Sequence, residues 1–146
     1  GQLRASQKAE WCSQGIESEL NNPALQNLIY QDVLPRWQTL MEQGEVISGI
    51  VETFPSVERE LLEPQGIQAL IVFPLRVSGE FFGFIGFDNC VAARSWDGLE
   101  TNLLGVAAHA ISLTLESRKA AAQLRQAKEV AEAATRAKSE FLATMS

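Results

Sequence analysis

Ile67-Gln68-Ala69-Leu70-Ile71-Val72-Phe73-Pro74-Leu75-Arg76-Val77-Ser78-Gly79-Glu80-Phe81-Phe82-Gly83-Phe84-Ile85-Gly86-Phe87 decides the fold. Two runs of β-branched and aromatic residues flank Ser78-Gly79-Glu80, the signature of a β-hairpin. On the first arm Ile67, Ala69, Ile71, Phe73, Leu75 and Val77 alternate onto one face, with Leu70 and Val72 on the other. The second arm sets Phe81, Ile85 and Phe87 against Phe82 and Phe84. Strands apolar on both faces belong in a sheet covered on both sides. Pro74 has no N–H to give to a ladder, so it points to an edge or a bulge. Gly83 and Gly86 leave room for close approach by a helix or a ligand.

Upstream of the hairpin the chain alternates short elements. Residues 3–12 mix polar and apolar types and read as a half-exposed strand. Asn22-Pro23 opens a short helix carrying Leu25, Leu28 and Ile29. A second helix over 35–42 gathers Trp37, Leu40 and Met41, and Gly44 ends it. Residues 46–51 read as a strand. Ser56 reads as the N-cap of a helix over 57–62, with Glu58 and Glu60 in its favourable first turn.

Downstream, from Asp97, the period changes from two to 3.6. Leu99, Leu103, Val106, Ala110 and Leu113 recur at steps of three and four, and no proline follows Pro74. The alternation continues through Ser117, Ala120, Leu124, Ala127, Ala131, Ala134, Lys138, Phe141 and Met145, a heptad seam. Alanine dominates it, so each layer buries little area and the coil is weak and adjustable. The candidates for a parallel dimer seam are Leu113, Ala120, Leu124, Ala127, Ala131, Ala134, Phe141 and Met145. The plainer alternative is one long solvated helix packed on its own domain.

The 146 residues suffice for one domain with a real core. Charge is uneven. Residues 116–146 hold six Lys/Arg and four Glu, +2; the remaining six Lys/Arg and 14 Asp/Glu leave residues 1–115 at −8. An acidic body argues against nucleic-acid binding. The longest apolar run, residues 69–75, is far too short to span a bilayer. Cys12 and Cys90 form neither a CxxC pair nor a zinc spacing and read as free cytosolic thiols. The single histidine, His109, has no carboxylate beside it in sequence, and no nucleophile elbow or phosphate loop is present. This stretch is therefore expected to catalyse nothing and to hold no metal. Trp11, Tyr30, Trp37, Phe73, Phe82, Phe84 and Phe87 are the candidates for lining a small-molecule pocket, plain core packing being the alternative for each.

Several stretches resemble the GAF family of sensory domains: Glu10-Trp11-Cys12, Pro35-Arg36-Trp37, Glu58-Arg59-Glu60-Leu61-Leu62, Gly66-Ile67, Val72-Phe73-Pro74-Leu75, Gly83-Phe84-Ile85-Gly86-Phe87-Asp88 and Arg94-Ser95-Trp96. The closing Ala137-Lys138-Ser139-Glu140-Phe141-Leu142-Ala143-Thr144-Met145-Ser146 resembles the run-up to the phosphoacceptor box of histidine kinases. The resemblance implies an α+β fold: a GAF-like antiparallel sheet with flanking helices over 1–115, then a long coiled-coil signalling helix over 116–138. The start of the phosphoacceptor helix would follow over 139–146. It implies a cytoplasmic input module of a sensor kinase, itself a homodimer that reaches a response regulator through the parent chain, with tethering of that parent to a membrane left open. Phe141 and Met145 would fill the first layers of a four-helix bundle. Two departures stand out. The helix and central strand with which GAF domains open are absent, which would leave unpaired backbone on neighbouring strands. Bilin-linking relatives commonly place a histidine after the attachment cysteine, whereas Cys90 precedes Val91 and Cys12 precedes Ser13. That argues against covalent bilin and leaves an unidentified small molecule as the ligand to seek, or a structural dimerisation spacer with none.

Overall fold

The computed structural model describes residues 1–145. Its core is a three-stranded antiparallel sheet of β3 (Ile47–Ile50), β4 (Ala69–Val77) and β5 (Glu80–Asn89), in that order. Ser78 and Gly79 close the β4–β5 hairpin, both with positive φ, 55° and 79°. Two successive positive φ values match the twist of the strands they join. Opposite Leu75 and Arg76 the register shifts, so that Gly83 and Phe81 pair while Phe82 between them does not. This bulge turns Phe81 to the face of Phe84, against the simple alternation that put it with Ile85 and Phe87. β3 accompanies β4 only from Ala69 to Val72, so Pro74 stands where β4 has one strand neighbour, β5.

The expected cover on both faces is present. Leu70 and Val72 join Tyr30, Leu34, Trp37, Met41, Ile47, Val51, Leu62 and Ile67 in one core cluster. Ile71, Phe73 and Leu75 join Ala108 in a second. Ile67 precedes the strand and goes with the first cluster, not with the alternation that follows it.

The short helices α2 (Pro35–Glu42) and α3 (Ser56–Leu62) cover the first face, preceded by the single turn α1 (Tyr30–Val33). Ser56 is the first helical residue rather than a cap; Pro55 holds the cap position without a side-chain bond. The segment 3–12 differs more. Only Arg4–Ala5 (β1) is strand, paired with Leu28–Ile29 (β2), so Leu28 and Ile29 are extended and not helical. Gln26 caps the 3-10 turn Pro23–Leu25, and Asn27, with φ 57°, turns the chain into β2. Residues 6–22 are held by scattered bonds instead of a ladder: the Gln7 N–H donates to the Leu25 carbonyl at 3.2 Å, and the Glu10 carboxylate accepts from Ser18 Oγ and, at 2.8 Å, from the Glu19 N–H. Among the described residues no strand pairs with the outer edge of β5.

α4 (Gly98–Met145) is one helix of 48 residues, about 72 Å long. It starts with a capping box: the Glu100 N–H donates to Asp97 Oδ1 at 2.8 Å, and the Asp97 N–H donates to Glu100 Oε2 at 3.0 Å. Arg94 grips the same carboxylate at 2.7 and 2.9 Å and holds its pKa down at about 2. Close approach of α4 to the sheet depends on Gly105, where a Cβ would lie 3.3 Å from the Phe73 ring. Gly83 and Gly86 have no such tight neighbour.

Candidate functional site

Of the seven aromatic candidates, Tyr30, Trp37 and Phe84 come together, with Phe81 as a fourth member that the bulge delivers. Their rings meet edge to face: Tyr30–Phe81 at 6.1 Å, Tyr30–Phe84 at 6.4 Å and Trp37–Phe84 at 5.8 Å. Tyr30 and Trp37 are buried. Burial pushes the Tyr30 hydroxyl up to about 12, so it stays a neutral donor. The Trp37 indole N–H is buried with no acceptor in reach. Such a donor is costly by about 1–3 kcal/mol and is satisfied by any ligand or water that brings a lone pair.

The other four candidates lie elsewhere. Phe73 and Phe87 pair at 6.2 Å on the opposite face of the sheet, under α4. Trp11 and Phe82 are 87% and 63% exposed. The seven therefore do not line one pocket. A shallow groove of about 380 Å³ runs between α4 and the hairpin, past Phe73, Pro74, Arg76, His109 and Ser112, and Phe73 alone of the seven borders it.

A charged pair braces the aromatic cluster, and sequence reading missed it. Arg36, next to Trp37, donates from Nε and Nη2 to the two Glu58 oxygens at 2.8 and 2.6 Å. Its guanidinium also stacks on Phe54 at 5.2 Å. Glu58 is 1% exposed and the Arg36 side chain 40% exposed. The two residues are 22 positions apart, and nothing local marks them as partners.

Near the end of β5, Asp88 keeps an exposed surface, yet crowding by surrounding atoms, and secondarily the Glu10 charge, push its pKa up to about 6. Burial and the Asp88 charge in turn push the Cys90 thiol up, away from the nucleophilic thiolate. No group of three or more His, Cys, Asp or Glu side chains among the described residues could hold a metal ion. Nor is any described helix long and apolar enough to cross a membrane.

α4 presents two apolar stripes. Leu104, Ala108, Ile111 and Leu115 pack on the sheet. Leu99, Leu103, Val106 and Leu113, the residues the periodicity selected, are between 51% and 70% exposed. At 3.6 residues per turn the second stripe lies roughly 150° round the helix from the first. From Ser117 to Met145 every residue is exposed, so Ala120, Leu124, Ala127, Ala131, Ala134, Phe141 and Met145 prolong that stripe on a bare helix about 40 Å long. Ser146, the last residue of the kinase-like run, lies outside the described residues.

The chain is similar to known proteins in sequence and in fold. The chain is 35% identical over 128 residues to the methanogenesis regulatory histidine kinase FilI of Methanothrix harundinacea (strain 6Ac), covering 88% of the chain and 14% of that relative's length. In fold it is similar to the GAF3 domain of Slr1393 from Synechocystis sp. PCC6803, with a TM-score of 0.64, 23% identity, and coverage of 77% of this chain and 73% of that one. It is also similar to the domain of a two-component sensor histidine kinase protein from Sinorhizobium meliloti 1021, with a TM-score of 0.52, 19% identity, and coverage of 64% and 70%. The GAF domain family matches residues 7–115, the whole sheet and the packed part of α4, and the chain belongs to that family.

Proposed function

We propose that this chain is a cytoplasmic sensory input module of a histidine kinase, which pairs with a second copy through parallel α4 helices. Binding of a small molecule or a partner at the GAF body is relayed along that pair to a phosphoacceptor histidine downstream, and thence to a response regulator. Kinase activity belongs to the parent chain. The role as proposed involves no nucleic acid, given the −8 charge of residues 1–115, and no membrane contact by this stretch, whose longest apolar run, residues 69–75, is too short to span a bilayer.

The observation that carries this reading is the exposed stripe on α4. It begins on the body at Leu99 and continues in phase through Leu113, Leu124, Phe141 and Met145. A row of large apolar side chains in water at heptad spacing is what a coiled-coil seam requires. Its middle layers, Ala120, Ala127 and Ala134, bury little, so two arrangements of the pair can lie close in energy. A ligand with different affinity for the two arrangements then shifts the balance. The 35% identity to a histidine kinase supports the setting.

The test is disulfide trapping. Ala127→Cys, in a background with Cys12→Ser and Cys90→Ser, places thiols at one layer of a parallel pair. Rapid symmetric cross-linking on mild oxidation is expected. A chain that stays monomeric at about 100 μM refutes the pairing.

A second reading, a dimerisation spacer without a ligand, draws on the edge-to-face packing of Tyr30, Phe81, Phe84 and Trp37. A ligand of the first reading would offer an acceptor to the Trp37 N–H. Native mass spectrometry of protein purified from cells separates the two: a retained small molecule supports sensing, and a bare mass supports the spacer.

A further inference from the structure

The edge of β4 left open beyond Val72 is closed by a helix instead of a strand. Strand alternation puts the N–H positions of residues 74, 76 and 78 on that edge. Pro74 has none to offer. The Arg76 N–H donates to Ser112 Oγ at 3.1 Å, and the Ser78 N–H donates to Glu116 Oε1 at 2.8 Å. Both acceptors are on α4, four residues apart, a rise of about 6 Å on a helix. Two residues of strand rise about 6.7 Å. The two spacings match closely enough for one face of the helix to serve successive edge donors. Lys119 Nζ adds a contact to Ser78 Oγ at 3.4 Å.

Arg76 extends the connection to the far side of the sheet. Its Nη2 donates to the Glu42 carbonyl at 2.8 Å, at the C-terminus of α2, where a cation is favoured. α2 carries Trp37 and Met41 of the first core. One residue therefore ties the helix behind the aromatic cluster to the helix that leaves the body. The position is telling: Leu115 is the last α4 residue packed on the second core, and the exposed helix starts at Ser117.

We propose that Arg76, Ser78, Ser112 and Glu116 form a clasp that sets the direction in which α4 leaves the domain and couples it to α2. A displacement at Tyr30, Trp37 or Phe84 reaches α4 through this joint. The joint goes beyond the relay reading and is testable in a single chain, with no ligand and no second copy.

The experiment is amide hydrogen exchange, read by mass spectrometry on the 146-residue chain at a concentration low enough to be monomeric. Glu116→Ala should speed exchange about tenfold in peptides covering 74–80 and 110–122, the loss of one charge-assisted bond. Peptides covering 30–41 should change little. Glu116→Gln, which keeps an acceptor oxygen, should recover most of the protection. Arg76→Met, which keeps the backbone N–H and the side-chain bulk, should speed exchange at both 38–44 and 110–122. Equal acceleration everywhere in Glu116→Ala would mean general destabilisation and would overturn the clasp. Arg76→Met acting at 38–44 alone would overturn the coupling.

Discussion

Leu103 and Leu104 are adjacent in the chain and face different surroundings, so charging each in turn separates pairing from folding. Leu103 is 62% exposed, and Leu104 packs against the cluster of Ile71, Phe73 and Ala108. Burying a whole leucine side chain is worth about 1.5–3 kcal/mol, and the exposed part of Leu103 therefore about 1–2 kcal/mol in each protomer. A symmetric pair loses roughly 2–4 kcal/mol when both copies become Leu103→Glu, and the two carboxylates then repel across the seam. The dissociation constant should rise about 100-fold. The monomer should fold as before, within about 0.5 kcal/mol, since the site is already in water. Leu104→Glu forces a carboxylate among apolar rings and should cost about 3 kcal/mol or more, lowering Tm by roughly 10 °C. Sedimentation velocity over a concentration series and thermal melts by circular dichroism read the two effects. If Leu103→Glu sediments as the unaltered chain does at every concentration, the seam is not an interface. If it melts as early as Leu104→Glu, the assignment of faces is wrong.

Removing Arg36 strands a buried carboxylate, so Arg36→Met should cost about 2–3 kcal/mol, after allowing for the partial exposure of Arg36. Glu58→Gln should cost less, and the double variant less than the two single losses together; equal single losses in urea titrations would contradict this. Gly49 has φ 154°, and a Cβ there would lie 2.7 Å from the Phe54 ring, so Gly49→Ala should lower stability by about 2 kcal/mol in the same titrations. Asp88 binds its proton more tightly in the folded chain, at about 6, than a carboxylate does when unfolded, about 3.9. Its contribution therefore disfavours folding above pH 6 and fades as pH falls towards 4, by less than about 1 kcal/mol given solvent screening. The Tm difference between Asp88→Asn and the unaltered chain, positive at pH 7, should shrink towards pH 4; a constant difference would show that Asp88 does not titrate in this window.

The hairpin was readable because its evidence is local: a turn residue pair and two-sided apolar strands. The helix was readable for the same reason, but its orientation was not. α4 carries Leu99, Leu103, Val106 and Leu113 on one face and Leu104, Ala108, Ile111 and Leu115 on another, both at steps of three and four. Periodicity detects a stripe and cannot say which stripe meets the sheet. The bulge at Phe82 was hidden because it depends on pairing across the hairpin, and it alone decides which face Phe81 joins. Residues 3–12 have a strand-like composition, yet only Arg4 and Ala5 pair as a strand ladder. Arg36 and Glu58 met only when α2 and α3 packed together. Residue type marks an aromatic as a candidate but does not record which side of a sheet its ring faces.

The stripe on α4 recurs every 3.5 residues on a helix that turns every 3.6. On a straight helix it creeps round by about 20° per heptad, roughly 130° between Leu99 and Met145. A second helix that follows it must wind round the first in a left-handed sense. Phe141 and Met145 then face a compass bearing, relative to the sheet, that is counted out in residues. Seven more residues before Phe141 would nearly restore that bearing, while one more would swing everything beyond it by about 100°. The length of this helix thus acts as a dial, and its setting is as much a part of the sequence as any side chain in the core.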